Sequence, residues 1–234
     1  MLKNFHDPEL GIISIKPHKT ARRFIFRATT EGIQITCPPH VSMKQVTAAF
    51  EQQRHLLPRL RKRVSERVRL QKGTLLEMSL FRVSIQESAF GNMFEARYSK
   101  GVLEVVAPPA TDYSRQEVQQ FIEKNIVKVL RYEGAHYLPE RTAELARKLG
   151  LSFRSCTVSY GKNRLGKCDT LRNIALSYRL MMLPLHLIDY VILHELTHLT
   201  EMNHGERFHA LLNQYCGGVH RRLEKELKAF RFPI

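Results

Sequence analysis

The most constraining feature of this 234-residue chain is its richest apolar stretch, LMMLPLHLIDYVIL at residues 180–193. Pro184, His186 and Asp189 interrupt it, so it cannot serve as a membrane span. From Leu185 to about Thr200 the pattern predicts a long apolar helix, introduced by Pro184 at a position where a first turn tolerates it. A helix so apolar has to be walled in by the rest of the chain. The chain is long enough to do that. Its 43% apolar and 25% charged residues are ordinary globular values, which exclude disordered, collagen-like and low-complexity classes.

Within that helix lies VILHELTHL, with His194, Glu195 and His198 in the order His-Glu-x-x-His. Positions i and i+4 share a helix face about one turn apart, so two imidazoles can address one ion. Glu195 sits beside the first of them, where a carboxylate can reach water polarised by that ion. Two histidines and a glutamate in an apolar helix would otherwise be buried at high cost with no partner. A zinc-type metal is therefore expected. His204, six residues after His198, is the expected third ligand, with Glu201 and Glu206 as rivals. For His204 to swing back, the helix has to end near Met202 or Asn203, and Asn203 and Gly205 both tolerate a turn there. Three imidazoles leave one position for water, the arrangement of a catalytic rather than a structural zinc site. His186 and His220 are expected to be surface or capping residues, His209 to sit near the site on the next helix without being a ligand, and Asp189 to face away from the ligands.

Charge is the abnormal part of the composition. The chain has 37 Lys and Arg against 22 Asp and Glu, a formal net charge of +15. That balance suits a polyanionic partner such as a nucleotide or nucleic acid, or a merely soluble basic surface. Residues 54–72 are the densest part, with eight basic residues (Arg54, Arg59, Arg61, Lys62, Arg63, Arg67, Arg69, Lys72) against Glu66. They read as a helix end plus a basic connector, suited to phosphate contact. The four cysteines (Cys37, Cys156, Cys168, Cys216) are widely spaced and form no CxxC. Reduced thiols, and hence a cytoplasmic protein, are the expectation. No continuous apolar run marks a leader in MLKNFHDPELGII.

Along the chain the fold class reads as α+β. Two segments look like near-copies, RRFIFRATTEGIQITCPPHVSMKQVTAAF and NMFEARYSKGVLEVVAPPATDYSRQEVQQF. Each alternates apolar residues about a turn at Gly32 or Gly101, which predicts a β-hairpin. Each then reaches a Pro pair and a capping-box pattern, Ser42–Gln45 or Ser114–Glu117, at a helix start. A mixed, mainly antiparallel sheet follows. Residues 115–150 predict two helices, the second (ERTAELARKLGL) stopping at Gly150. RSCTVSY predicts a short strand, GKNRLGKCDTLRN a basic turn-rich segment, and the residues from Phe208 a helix broken at Gly217-Gly218. No linker divides the chain, so two packed lobes, 1–110 and 111–234, are expected.

The stretch LPLHLIDYVILHELTHLTEMNHGERFHALL, with RLGKCDTLRNIALSYRLMMLP before it, resembles the YgjP-like zinc metallopeptidases, a gluzincin-type group related to SprT-like and WLM proteases. The resemblance is most specific over residues 160–212. It implies a zincin-like C-terminal lobe, Zn2+ held by His194, His198 and His204, and Glu195 as the catalytic acid/base. Peptide or protein would be the substrate. A metal-dependent nucleotide pyrophosphohydrolase and a nucleic-acid-associated protease or binding module are the other classes the resemblance allows. Two positions depart from the family pattern: Leu165 precedes Gly166-Lys167-Cys168, and His209 follows Phe208, where the family usually has Trp. Tyr178, Arg179 and Arg172 are the available donors for a developing oxyanion.

Overall fold

The computed structural model describes residues 4–29, 31–60, 70–161 and 164–234. It is an α+β protein that divides into two compact units, residues 1–68 and 69–234. The division does not fall at residue 110. The reason is that Val83, Ile85, Leu103 and Val105 share one buried cluster with Ile122, Ile126 and Leu130, so the second sheet belongs with the helices that follow it.

In the first unit, β1 (Phe5–Asp7), β2 (Gly11–Pro17), β3 (Ile25–Ala28) and β4 (Gly32–Cys37) form a sheet in the order β1-β2-β4-β3. The central pair β2–β4 is parallel and the outer pairs are antiparallel. Helix α1 (Met43–Gln53) starts at the expected capping box, in which the Gln45 N–H donates to Ser42 Oγ and the Ser42 N–H to Gln45 Oε1 at 2.8 Å. Ile13, Ile33, Ile35, Val46, Phe50 and Leu57 form its own buried core. Residues 61–69 lie outside the described residues, and with them five of the eight cations of the basic stretch expected over 54–72.

The second unit repeats this sheet with β5 (Leu75–Glu77), β6 (Arg82–Glu87), β7 (Glu95–Ser99) and β8 (Val102–Ala107), in the order β5-β6-β8-β7. The parallel and antiparallel pairings are the same. Ile12 and Arg82, Ile25 and Glu95, and Gly32 and Val102 hold matching places seventy residues apart, while the outer β1–β2 and β5–β6 pairs differ by one residue of register. Instead of one mixed sheet there are two copies of one four-stranded sheet. The expected hairpins are their β3–β4 and β7–β8 edges.

Helix α2 (Gln116–Lys148) is a single helix of 33 residues with Pro139 inside it, not two helices. Packing carries it through: Gly134 and Leu138 are buried, and a methyl group on Gly134 would lie 3.3 Å from Met181 Cγ. Its expected Ser114–Glu117 capping box is not formed, because Asp112 Oδ1 takes both the Ser114 N–H and its hydroxyl. The helix stops before Gly150, at φ +67°. A three-stranded sheet follows, β9 (Ser155–Ser159), β10 (Gly166–Cys168) and β11 (Asn173–Ser177), in the order β10-β11-β9. A 3-10 turn (Tyr178–Met182) leads into α3 (Leu185–Thr197), α4 (Glu206–Tyr215) and α5 (His220–Ala229). None of the described helices is long and apolar enough to cross a membrane.

Candidate metal centre

Helix α3 is buried along most of its length, through Leu187, Ile188, Tyr190, Val191, Ile192 and Leu196. This fixes the direction of the polar face that carries His194 and His198. The helix ends at Thr197, earlier than the expected Met202 or Asn203. Leu199 and Thr200 donate to Leu196 and Thr197, so the chain tightens into a turn immediately after the second histidine. The early exit returns His204 to the first two rings. One ligand atom each of His194, His198 and His204 lies within 4.8 Å of the others. His194 Nε2 and His204 Nε2 are 3.0 Å apart.

The rings are held from outside. The His198 Nδ1 lies 3.2 Å from the Glu201 carbonyl oxygen, which assigns the proton to Nδ1 and leaves Nε2 as the lone-pair nitrogen. Phe208, fully buried on α4, places its ring centroid 5.0, 4.7 and 4.6 Å from those of His194, His198 and His204. Burial, with the neighbouring His198 and His204 adding to it, pushes His194 down to about 4. Burial also lowers His198. Both are thus neutral imidazoles near pH 7, the form that donates a lone pair to a metal.

Glu195 is buried next to His194. Burial pushes its carboxyl up to about 7, opposed by the backbone N–H of Cys168. The N–H comes from β10, and Gly166 on the same strand lies directly against the Glu195 side chain. A methyl group on Gly166 would meet Cγ and Cδ of Glu195 at 2.7 Å. Sequence reasoning took this segment as a turn and missed both Gly166 and Phe208. The Gly-x-Cys spacing was the available signal for the first, and the Phe next to His209 for the second.

The other candidates find partners elsewhere. Glu201 contributes its backbone carbonyl to His198, and neither it nor Glu206 belongs to the ligand cluster. His209 Nδ1 lies 3.3 Å from His220 Nε2, and His220 Nδ1 lies 3.2 Å from the Tyr190 hydroxyl. His186 pairs with Glu226, and Asp189 with Arg141. Arg131 sits over the Tyr178 ring, Arg179 over Phe232, and Arg172 binds the Ser152 carbonyl. None of the three expected oxyanion donors lines the cavity of about 380 Å³ beside His194 and Glu195. Arg164, Leu165, Tyr190, Leu227 and Lys228 do. All four cysteines are free thiols.

Residues 22–230 match the family model described as YgjP-like, metallopeptidase domain. No curated protein matches the chain. Among solved structures, the crystal structure of the metallopeptidase zymogen jannalysin from Methanocaldococcus jannaschii matches with 21% identity. It covers 38% of this chain and 96% of its own length, with a TM-score of 0.31.

Proposed function

The chain belongs to the YgjP-like metallopeptidase family, and from that membership we propose that it is a zinc-dependent peptidase whose ion is held by His194, His198 and His204. The observation that carries the reading is the convergence of three imidazoles beside a buried carboxylate. The donor set fits zinc: it is all-nitrogen, the two ring protonation states that burial sets favour lone-pair donation, and three ligands leave a position for reactants. When bound, such an ion polarises a carbonyl as a Lewis acid and lowers the pKa of water from 15.7 to roughly 7.

The chain's own residues do the rest. Glu195, titrating near neutrality, takes the proton from the attacking water and returns it to the leaving nitrogen. The Cys168 N–H holds the carboxylate in place between these transfers, and Gly166 leaves the space it occupies. Phe208 closes one side of the ligand cluster with an apolar wall that excludes water from behind the rings.

Arg164 on the same cavity favours a second reading, hydrolysis of a nucleotide pyrophosphate, although Lys228 there is paired with Glu224. Zinc stoichiometry, casein hydrolysis and nucleoside triphosphate hydrolysis, measured beside Glu195→Gln and His198→Ala, separate the two. The peptidase reading expects about one zinc per chain, caseinolysis lost in Glu195→Gln with zinc retained, and zinc lost in His198→Ala. Phosphate release without caseinolysis would replace it by the second reading. Zinc-free wild-type protein would remove both.

A further inference from the structure

The two copies of the four-stranded sheet provide an internal control on what the fold itself requires. Residues 1–68 hold thirteen of the 37 Lys and Arg but five of the 22 acids, a net +8, which leaves +7 for the other 166 residues. Two stretches carry that excess in equal measure: residues 54–68, with six cations against Glu66, and residues 16–27 at one end of the sheet. No Asp or Glu occurs between Glu9 and Glu31, while Lys16, Lys19, Arg22, Arg23 and Arg27 do. The matching stretch of the second copy, residues 80–100, carries three cations and two carboxylates. The scaffold therefore does not call for this charge. All five cations are exposed, and none makes an ion pair with a described residue. The backbone N–H of His18 donates to the Cys37 carbonyl. That bond ties the 16–23 segment to the end of β4.

An open aromatic surface adjoins the charge. Arg23, Phe24, Phe26, Leu56, Arg59 and Leu60 line a cavity of about 490 Å³ between β3 and the end of α1. In the second copy the aromatic seventy residues after Phe24, Phe94, is covered by Phe121 of α2 at a centroid distance of 5.1 Å. No described ring covers Phe24, which is half-buried. A cationic track leading into an apolar, aromatic recess between two arginines matches a phosphodiester backbone with unstacked bases. It does not match a lipid surface, since the large apolar side chains that protrude most, Phe90 and Met93, belong to the second copy.

We propose that the first unit is a binding module for single-stranded nucleic acid, with phosphates along Lys16–Arg27 and a base in the Phe24–Arg59 recess. The proposal is independent of what the metal centre hydrolyses. The test is anisotropy titration of the full chain with oligothymidylate and oligouridylate, a duplex of the same length, and phosphatidylserine vesicles. Binding should favour single strands and weaken about a hundredfold between ~50 and ~200 mM salt. Arg22→Glu with Arg23→Glu should weaken it about tenfold or more at unchanged thermal stability, since both side chains are exposed. Phe24→Leu, which keeps the apolar packing, should erode the preference for single strand over duplex. Glu195→Gln should bind like the wild type. Unchanged affinity in the double arginine variant, or binding to vesicles and not to oligonucleotides, would overturn the proposal.

Discussion

Gly166 on β10 lies against the Glu195 side chain so closely that a methyl group there would meet its Cγ and Cδ at 2.7 Å. The contact is to a side chain that can move, so Gly166→Ala should fold. The carboxylate, however, should be displaced from its bond to the Cys168 N–H. Misplacement of a catalytic group by an ångström costs on the order of 10²-fold. If the chain is the proposed zinc peptidase, Gly166→Ala should bind zinc as the wild type does and lose about that factor in kcat/KM for casein. Wild-type turnover in this variant would show that the strand does not hold the carboxylate.

Phe208 touches all three ligand rings and is fully buried. Phe208→Ala should cost about 3–5 kcal/mol in stability through the cavity it leaves and weaken zinc affinity roughly 10–100-fold. Phe208→Leu keeps most of the volume and should cost less than about 1.5 kcal/mol. Its rings would still lose the flat wall, so its zinc affinity should fall by more than its stability does. Competition with a chromogenic chelator, set beside urea melts, reads the two separately.

Arg141 on α2 donates from Nε to Asp189 Oδ1 at 2.7 Å and makes a second bond to Oδ2, which pins α3 five residues before His194. Arg141→Met, Asp189→Asn and the double variant should give a coupling of about 1 kcal/mol in a double-mutant cycle of unfolding. Zero coupling would reduce the pair to a surface contact.

Acid should loosen the first unit through Asp7. Burial alone would raise its carboxyl, but the Leu10 and Glu9 N–H groups and the Arg54 guanidinium, 2.7 Å away, hold it below the ordinary value. A carboxyl lowered on folding contributes stability above its unfolded pKa near 3.9. That contribution is lost as pH falls through the folded value. Asp7→Asn should thus be less stable than wild type at neutral pH and approach it below about pH 4. Urea melts followed at several pH values would show the two curves converging; parallel curves would contradict the assignment.

The histidine cluster was legible because the i, i+4 spacing is local: two histidines on one helix face meet whatever surrounds them. His204 was legible from its spacing, but the position of the turn was not. The i−3 hydrogen bonds that end α3 at Thr197 instead of Met202 leave no mark in composition. The hairpins β3–β4 and β7–β8 alternate visibly. Strand β10 has three residues and no alternation, so its contact with Glu195 could be seen only in three dimensions. Helix α2 reads as two because Pro139 disfavours continuation by itself, and buried neighbours override it. The Ser114 cap failed for a local reason, a competing aspartate two residues earlier.

A chain that carries one sheet twice also carries two sets of strands able to pair with each other's neighbours. While it folds, β2 can meet β8 as readily by topology as it meets β4, and such exchange is the characteristic kinetic trap of repeated architectures. Divergence between the copies works against that trap. The first copy's acid-free stretch and the Glu87 and Glu95 of the second give corresponding segments different charge, and the two buried clusters fill with different side chains. Making the copies more alike should slow refolding and raise aggregation even where each single exchange leaves the native state intact.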